Sequence, residues 1–491
     1  MAGFGSGASF GVHCDNLMNL TRGIAERVLY VVRDGRLTKV PQPKPGVFGR
    51  LSSIRKRLFS VLRPTPVVTR EDYPDLYTGR KRGIYRRAME SLKLRGLTRR
   101  DAYVSTFLKA EKINFGAKVD PAPRVIQPPS PRYNGEVGRY LKLFEKRVFQ
   151  AFETVFGYKV ILKGLNASQV AAQLRENWQQ FRKPVAVGLD ASRFDQHVSQ
   201  DALRWEHSVY NGVFKCKWLA KLLSWQLVNK GIARITGWRV DYVTDGCRMS
   251  GHLNTGLGNC LLMASMVLSY CEWFGIKARL ANNGDDCVVI LEAADLHRLD
   301  GIDDWLLDFG FTLTREAPVY VFERIEFCQA QPVFTASGWR MVRNPFTAMS
   351  KDCVSLLSWD TETDIRYWAH AIASCGLSLT SGVPVWEAWY RRLHAVGKEA
   401  PAGVIERVNE CGMYYMARGV AACEIIDEAR YSFYLAFGLT PDMQLALEDE
   451  YAEPFELSDL TPMTSSHVKA LDIHNNSLAR WLVVANKLTC L

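Results

Sequence analysis

Two adjacent carboxylates, Asp285 and Asp286, stand at the start of an otherwise apolar segment. They follow Asn283-Gly284, a dipeptide typical of tight hairpin turns because both residues tolerate positive φ. The sequence therefore predicts a buried hairpin over residues 280–290, with Asn283 and Gly284 at its tip. Burying an unpaired carboxylate is costly, and two neighbouring carboxylates repel each other. Either the tip is exposed or a cation lies beside it.

Asp190 offers these carboxylates a partner, since it ends an apolar segment, residues 183–190, that predicts a buried strand. If that strand and the hairpin lie side by side in one antiparallel sheet, Asp190 meets Asp285 and Asp286. Three such carboxylates are suited to two Mg²⁺ ions, or Mn²⁺ in their place, because these ions bind carboxylate and phosphate oxygens. In the alternative interpretation, each aspartate caps a turn separately.

A third polar segment, RMSGHLNTGLGNC, spans residues 248–260. Ser250 and Gly251 predict a flexible loop that a ligand could approach closely. Thr255 and Asn259 are four residues apart and therefore share one face of the helix predicted over residues 254–274. Taken in isolation, the segment is better explained as a loop followed by a helix cap.

The charge of the chain is concentrated near its start. Of the 491 residues, the first 100 contain 21 Lys and Arg against 7 Asp and Glu, a net charge of +14, whereas the whole chain has +11. One cationic run is Arg55-Lys56-Arg57. Such runs are often only solvated surface, but an excess of this size favours a polyanion partner, and nucleic acid rather than anionic membrane.

Composition also argues against several classes of protein. No apolar run reaches the ~18 residues that a membrane-spanning helix needs, and the first residues lack the pattern of a secretory signal. The 12 cysteines form no CxxC pair or zinc-spaced cluster, which predicts thiols in a reducing compartment. The length predicts two or three subdomains. Further helices are expected over residues 197–230 and 295–309 and from about 350 onward, with a second hairpin-like pair over 319–334.

The order of the polar segments resembles that of motifs A, B and C in the palm of viral RNA-dependent RNA polymerases. These segments are DxxxxD (190–195), SGxxxTxxxN (250–259) and GDD (284–286). Residues 107–141, FLKAEKINFGAKVDPAPRVIQPPSPRYNGEVGRYL, are similar to the fingertip motif F of the tombusvirus family. FGVHCDNLMNLTRG (10–23) and SFYLAFGLTPDMQLALE (432–448) also resemble segments of those enzymes, so the resemblance covers most of the chain.

The resemblance implies an α+β right-hand fold with fingers, a palm containing an antiparallel sheet, and a thumb. The implied boundaries are residues 1–182 for the basic region and fingers, 183–349 for the palm with an inserted fingers segment, and 350–491 for the helical thumb and C-terminal region. The implied motifs are F at 107–134, A at 185–197, B at 248–262, C at 280–290, D at 301–316 and E at 319–334.

Specific roles follow from the same resemblance. Asp190 and Asp285 would hold two metal ions, with Asp286 assisting. The residues that would bind the incoming nucleotide are Lys109, Lys112 and Arg124 at the triphosphate, Asp195, Thr255 and Asn259 at the ribose, and Ser250 nearby. The residues that would contact RNA are Gly251, Cys328 of the motif E primer grip, and Arg55, Lys56 and Arg57.

Two positions depart from the family pattern. Pro129 stands where relatives commonly have a basic residue after the RVIQP segment. Motif D usually provides a lysine that protonates pyrophosphate, whereas this chain has Thr314 and Arg315. Arginine keeps its proton and is a poor general acid, so the proton donor must be sought elsewhere or is absent.

The expected function is RNA-templated RNA synthesis from NTPs in the replication of a plus-strand viral genome. The alternatives are a reverse transcriptase, which shares the palm but excludes the 2′-hydroxyl with a bulky side chain, and a non-enzymatic RNA-binding replication protein. Expected partners are template and product RNA, NTPs, other viral replication proteins and host factors. The expected location is the host cytoplasm, at membrane-associated replication complexes reached through another viral protein or a preceding segment.

Overall fold

The computed structural model describes residues 2–3, 10–235, 237–356, 360–401, 404, 419–453 and 488–490. Helices and strands are interspersed along the chain, which is therefore an α+β protein, as expected. The strands are β1 (Ala2–Gly3), β2 (Phe10–Gly11), β3 (Tyr30–Arg33), β4 (Arg36–Lys39), β5 (Val104–Leu108), β6 (Ile113–Asn114), β7 (Val125–Ile126), β8 (Pro184–Ala191), β9 (Val228–Ile235), β10 (Trp238–Asp245), β11 (Ala278–Asn283), β12 (Asp286–Glu292), β13 (Leu313–Arg315), β14 (Ala330–Thr335), β15 (Gly338–Arg343), β16 (Val354–Ser355) and β17 (Leu488–Cys490).

The described α-helices all lie between β2 and β17 along the chain. They are α1 (Leu17–Ile24), α2 (Ser52–Val61), α3 (Gly79–Leu94), α4 (Pro131–Phe156), α5 (Ala167–Trp178), α6 (Phe194–His197), α7 (Gln200–Phe214), α8 (Lys217–Ser224), α9 (Thr255–Trp273), α10 (Ile302–Asp308), α11 (Pro345–Asp352), α12 (Glu362–Thr380), α13 (Trp386–Val396), α14 (Asp427–Phe437) and α15 (Pro441–Ala452). The expectation of a helical segment after residue 350 is confirmed for α12 to α15; part of the range lies outside the described residues.

A four-stranded antiparallel sheet in the order β11-β12-β8-β13 lies between two hydrophobic cores. Val187 and Leu189 of β8 face the first core, which contains α9, whereas Ala186 and Val288 face the second, which contains α5, β14, β15, α12 and α13. Helix α9 is apolar around most of its circumference and buried along most of its length, as expected for a helix inside a core. In the two central strands, β8 and β12, the charged residues therefore lie only at the strand ends.

Some expected elements differ from the structure. The helical segment expected over 197–230 ends with α8 at Ser224, because the chain then forms the twisted pair β9 and β10. The helix expected over 295–309 is a 3₁₀ helix, Ala293–Leu299, followed by α10. The hairpin expected over 319–334 was wrong: β14 pairs with β15 instead, because Val319 is already paired with Ala186 of the central sheet.

The start of the chain connects two distant regions. Strand β1 pairs with β16, and β2 pairs with β6 inside the segment that resembles motif F. A second sheet, in the order β17-β10-β9-β5-β7, holds both ends of that segment. Residues 104–126 are thus anchored to the second sheet at both of their ends, through β5 and β7.

Candidate active site

The end of the central sheet carries one row of four polar residues. In the strand register, Asp286 lies opposite Asp190, Asn283 lies opposite Asp286, and Thr314 lies opposite Asp190. Residues opposite each other in antiparallel strands project from the same face. Asp190, Asp285 and Asp286 are all exposed. The structure thus brings Asp190 against the hairpin and puts the hairpin tip in solvent.

The turn of this hairpin is centred one residue later than the sequence predicts. Asn283 pairs with Asp286, so the two central residues are Gly284, with a φ of +90°, and Asp285. A glycine at the first central position is the signature of a type II′ turn. The buried Asn282 side chain fixes this register, since it donates to the Gly284 carbonyl (2.7 Å) and accepts from the Gly284 amide (3.2 Å). The prediction of Asn283 as a central residue was therefore wrong.

A second tight turn, at Cys328-Gln329, faces the first. Both residues have positive φ, +53° and +61°, between the mutually hydrogen-bonded Phe327 and Ala330. This left-handed conformation is unfavourable for side chains of this kind. It places the Cys328 thiol against the hairpin of β11 and β12, where Sγ accepts a hydrogen bond from Asn283 Nδ2 at 3.1 Å. Burial raises the pKa of Cys328 to about 12.

Negative charge accumulates around the row of carboxylates. Burial raises the pKa of Asp286, and the charges of Asp285, Asp190 and Glu326 raise it further. Glu316 lies over Gly188, where a Cβ would collide with its carboxylate. Burial, Glu326 and Asp190 likewise raise the pKa of Glu316. Sequence reasoning missed Glu316; the signal was a glycine in the middle of an apolar strand.

The chemistry of these side chains fits a divalent metal ion. The described residues contain no cluster of three His, Cys, Asp or Glu side chains that would hold an ion unaided. Mg²⁺, however, is usually bound through one or two carboxylates, with water and substrate phosphates completing its shell. Asp190 and Asp286, directly opposite each other and exposed, provide that kind of partial site, with Asp285 beside them.

Asp195 and Asn259 form the second part of the site. Asn259 Nδ2 donates to Asp195 Oδ1 at 2.7 Å, and Asn259 Oδ1 accepts from Arg248 Nε at 3.0 Å. Burial raises the pKa of Asp195, the Asp285 charge also raises it, and Asn259, Arg248 and Arg124 oppose the increase. Two of the three residues that the resemblance places at the ribose, Asp195 and Asn259, are therefore in direct contact.

A buried ion pair supports this contact. Arg248 pairs with Glu206 of α7, and the side chains of both are fully buried. The Arg248 amide also donates to the Asp195 carbonyl at 2.8 Å. A Cβ on Gly258 would collide with both members of the pair, which explains the glycine there. Sequence reasoning missed this pair because Glu206 lies on an amphipathic helix with no motif around it.

Thr255, Ser250 and Gly251 contact the protein's own backbone. The Thr255 hydroxyl donates to the Met249 carbonyl (2.8 Å) or the His252 carbonyl (3.0 Å). Ser250 Oγ accepts from the Gln127 amide at 3.2 Å, and a Cβ on Gly251 would collide with the Gln127–Pro128 backbone. The close approach that requires glycine at 251 is thus made by residues 127–128, and contacts of these three residues with RNA or ribose remain predictions.

The cations of the motif F segment are held by an acidic residue. The Lys109 amide donates to the Arg124 carbonyl at 2.8 Å, and both side chains pair with Glu111, at 3.0 and 3.3 Å. Arg124 is close enough to Asp195 to influence its pKa. Lys112 points elsewhere and donates to the Lys351 carbonyl at 2.9 Å. The structure therefore groups Lys109 with Arg124 and separates Lys112 from them.

The run Arg55-Lys56-Arg57 lies on α2, and two of its members have partners within the chain. Arg55 donates to Ser208 Oγ at 2.9 Å, whereas Arg57 pairs with Glu272 and lies 4.8 Å from the centre of the Phe156 ring. Glu272 is near the last residue of α9, about 25 Å along the helix from Thr255. Lys56 alone of the three is exposed. A role of this run in RNA binding remains a prediction.

Arg315 is also engaged, since it forms ion pairs with Asp300 (3.0 Å) and Asp303 (2.8 Å). Its neighbour Thr314 belongs to the row that contains Asp190. Where the resemblance implies a motif D lysine, this chain thus has a threonine in the row of the carboxylates and an arginine paired with two aspartates.

Comparison with known proteins shows the family. A profile described as "Viral RNA dependent RNA polymerase" matches residues 1–457. The chain belongs to this family of viral polymerases. It is 46% identical over 459 residues to the RNA-directed RNA polymerase of Turnip crinkle virus, covering 92% of this chain and 59% of that protein. It is 43% identical over 483 residues to that of Tobacco necrosis virus (strain A), covering 96% of this chain and 66% of that protein.

The resemblance expected from the motifs is therefore confirmed. A third relative, the RNA-directed RNA polymerase of Cucumber necrosis virus, is 46% identical over 457 residues, covering 91% of this chain and 55% of the relative. This chain thus spans somewhat more than half the length of the curated relatives that it matches. Among the described helices, none is long and apolar enough to cross a membrane.

Proposed function

We propose that this chain is the catalytic part of an RNA-dependent RNA polymerase that replicates a plus-strand viral RNA from NTPs. The observation that carries the proposal is the pairing of Asp190 with Asp286 across two strands, beside the Asp195–Asn259 contact. A carboxylate pair suits metal-assisted phosphoryl transfer. An amide–carboxylate pair suits recognition of a sugar hydroxyl, because such a site penalises a substrate that lacks the hydroxyl.

Asp190, Asp286 and Asp285 would hold Mg²⁺, with Mn²⁺ as a substitute. Bound there, Mg²⁺ would lower the pKa of the RNA 3′-hydroxyl and neutralise charge on the departing pyrophosphate. The rigid antiparallel sheet keeps the carboxylates at a fixed separation.

The remaining side chains would bind and orient the nucleotide. Lys109 and Arg124 would transfer from Glu111 to the triphosphate, to which arginine can donate two parallel hydrogen bonds. Asp195 would accept a hydrogen bond from the 2′-hydroxyl while Asn259 holds the Asp195 carboxylate in place. A site built in this way selects ribose, which distinguishes the proposal from a reverse transcriptase.

The family resemblance supports the finer organisation as well. We infer fingers over residues 1–182, a palm over 183–349 and a thumb from 350 onward, with template and product RNA held between them. The proposed setting is the host cytoplasm, in membrane-associated replication complexes with other viral proteins and host factors.

Primer extension with Mg²⁺ and labelled NTPs tests the proposal. Asp285→Ala should abolish incorporation while leaving RNA binding largely intact, because Asp285 occupies an exposed turn. Asp201→Ala, which alters an exposed aspartate that pairs with Arg204 on α7, is the matched control and should retain activity. Extension above background by the Asp285 variant would refute the metal assignment. Preferential use of 2′-deoxy NTPs by the parent would favour a reverse transcriptase.

A further inference from the structure

Lys163 lies beside the catalytic hairpin, on the side away from β8. The preceding residues run along β11: the Leu162 amide donates to the Asn282 carbonyl at 2.8 Å, and the Asn282 amide donates to the Val160 carbonyl at 2.9 Å. Ile161 and Asn282 form a parallel bridge. Lys163 therefore follows a short segment that extends the sheet at the hairpin tip, and its side chain is exposed.

The Lys163 side chain lies across the start of α9. A Cβ on Gly256 would be 2.9 Å from Lys163 Cε and 3.3 Å from Nζ. Gly256 has no positive φ, and the space left by its missing side chain is occupied by the lysine. Burial raises the pKa of both Cys260 and Cys328, and the positive charge of Lys163 opposes that rise at each thiol. Cys260 lies one helical turn beyond Gly256. The ammonium is thus located between α9, the hairpin and the Cys328 turn.

Among the described residues, no carboxylate oxygen forms an ion pair with the Lys163 ammonium at a nitrogen–oxygen distance within 4.0 Å. Lys109 and Arg124, in contrast, share Glu111, and Arg315 pairs with Asp300 and Asp303. An exposed lysine in an acidic site without a paired carboxylate is available to an anion that arrives from solution.

The position of Lys163 indicates which anion this is. Arg124, where the triphosphate is proposed to bind, is close enough to Asp195 to influence its pKa, and Asp195 follows β8 along the chain. Lys163 lies beyond β11, on the opposite side of the hairpin. Nucleotidyl transfer brings together two phosphate-bearing molecules, the NTP and the RNA strand that it extends or copies. Since the NTP is proposed to bind near Arg124, a phosphate that binds at Lys163 would belong to the RNA strand.

We propose that Lys163 binds a backbone phosphate of RNA beside the catalytic carboxylates. This inference rests on the proposed polymerase function. Gly256 has a matching role in the proposal, since its missing side chain leaves space for the lysine at the start of α9.

The experiment compares Lys163→Gln and Lys163→Arg with Lys159→Gln. Lys159 is a nearby control, because it pairs with Glu153 at 3.4 Å. Affinity for a labelled primer–template RNA is measured without nucleotide at several salt concentrations, and KM for NTP is measured by primer extension. Lys163→Gln should weaken RNA binding several-fold and flatten the log–log salt dependence by about 0.7–0.9, the value for one phosphate contact. Its KM for NTP should not change, and Lys163→Arg and Lys159→Gln should bind RNA like the parent.

Gly256→Ala provides a second test that leaves the lysine in place. The added methyl group should displace Lys163 and weaken RNA binding, but it should have little further effect in a Lys163→Gln background, because coupled residues are not additive. Unchanged affinity and salt slope for Lys163→Gln would overturn the inference, as would a raised KM for NTP with unchanged RNA affinity. Failure of the parent to extend primers would instead contradict the polymerase function, which the binding measurements do not require.

Discussion

Replacing Asn259 with alanine should reduce the discrimination between ribose and 2′-deoxyribose. Asn259 Nδ2 donates to Asp195 Oδ1 at 2.7 Å, and this bond fixes the carboxylate that is proposed to accept the 2′-hydroxyl. A hydrogen bond to a charged group contributes about 1.5–3 kcal/mol. Its loss should therefore lower the preference for ATP over 2′-deoxy ATP by roughly ten- to hundredfold.

The same substitution also has a cost that is independent of the sugar. Asn259 Oδ1 accepts from Arg248 Nε at 3.0 Å, so the alanine variant leaves a buried donor without its acceptor. That loss affects folding, about 1–3 kcal/mol, and should lower activity equally for both nucleotides. The ratio of the two kcat/KM values cancels this contribution and isolates the effect on sugar recognition.

The assay measures kcat/KM for ATP and 2′-deoxy ATP on one primer–template. Asp195→Ala should shift the ratio in the same direction, and the double variant should fall short of the sum of the two effects. Asn229→Ala is a matched control, because Asn229 is equally buried but donates only to backbone carbonyls such as that of Gln226. Equal losses for the two nucleotides in the Asn259 variant would refute the role in ribose recognition.

Three further predictions concern stability and RNA binding. Glu206→Gln should destabilise the fold by about 3–5 kcal/mol, because it leaves the buried Arg248 charge unpaired; a change below 1 kcal/mol in chemical denaturation would contradict a buried ion pair. Gln329→Gly should stabilise the fold by about 0.5–1 kcal/mol. Glycine avoids the penalty of about 1–2 kcal/mol for a left-handed conformation, but the unfolded chain gains entropy, which offsets part of that free energy. A lower melting temperature would argue against the left-handed turn at Cys328-Gln329. Neutralising Arg55, Lys56 and Arg57 together should reduce the slope of log affinity against log salt concentration by about one unit, not three, because only Lys56 is exposed. An unchanged slope would mean that none of the three residues contacts RNA.

The geometry of the carboxylates follows closely from the sequence. A strand with apolar residues on both faces must lie inside a sheet, and Asp190 at its end is then carried to the same edge as the hairpin tip. The register that places Asp190 opposite Asp286 is imposed by burial of Val187, Leu189, Val288 and Val289 on their proper faces. The contact expected if the strand and the hairpin share one antiparallel sheet is thus confirmed, and the alternative of separate turn caps is not.

Other features depend on contacts between distant parts of the chain. The turn centre is set by the buried Asn282 side chain, although the dipeptide Asn283-Gly284 favours a different turn. The hairpin expected over 319–334 failed because Val319 pairs with Ala186, over 130 residues earlier. Neither Glu206 nor Lys163 belongs to a motif, and in the structure each lies against a glycine, Gly258 or Gly256, at which an added Cβ would collide with it.

The pairing of β1 with β16 has a consequence for how the chain is made. Strand β2 can pair with β6 as soon as residue 114 has been synthesised, but the partner of β1 begins at Val354. At a translation rate of about 5–20 residues per second, roughly 20–70 s separate the two strands on the ribosome. During that interval the β1 backbone is without its native partner, so this strand pair forms later in synthesis than the pair of β2 with β6.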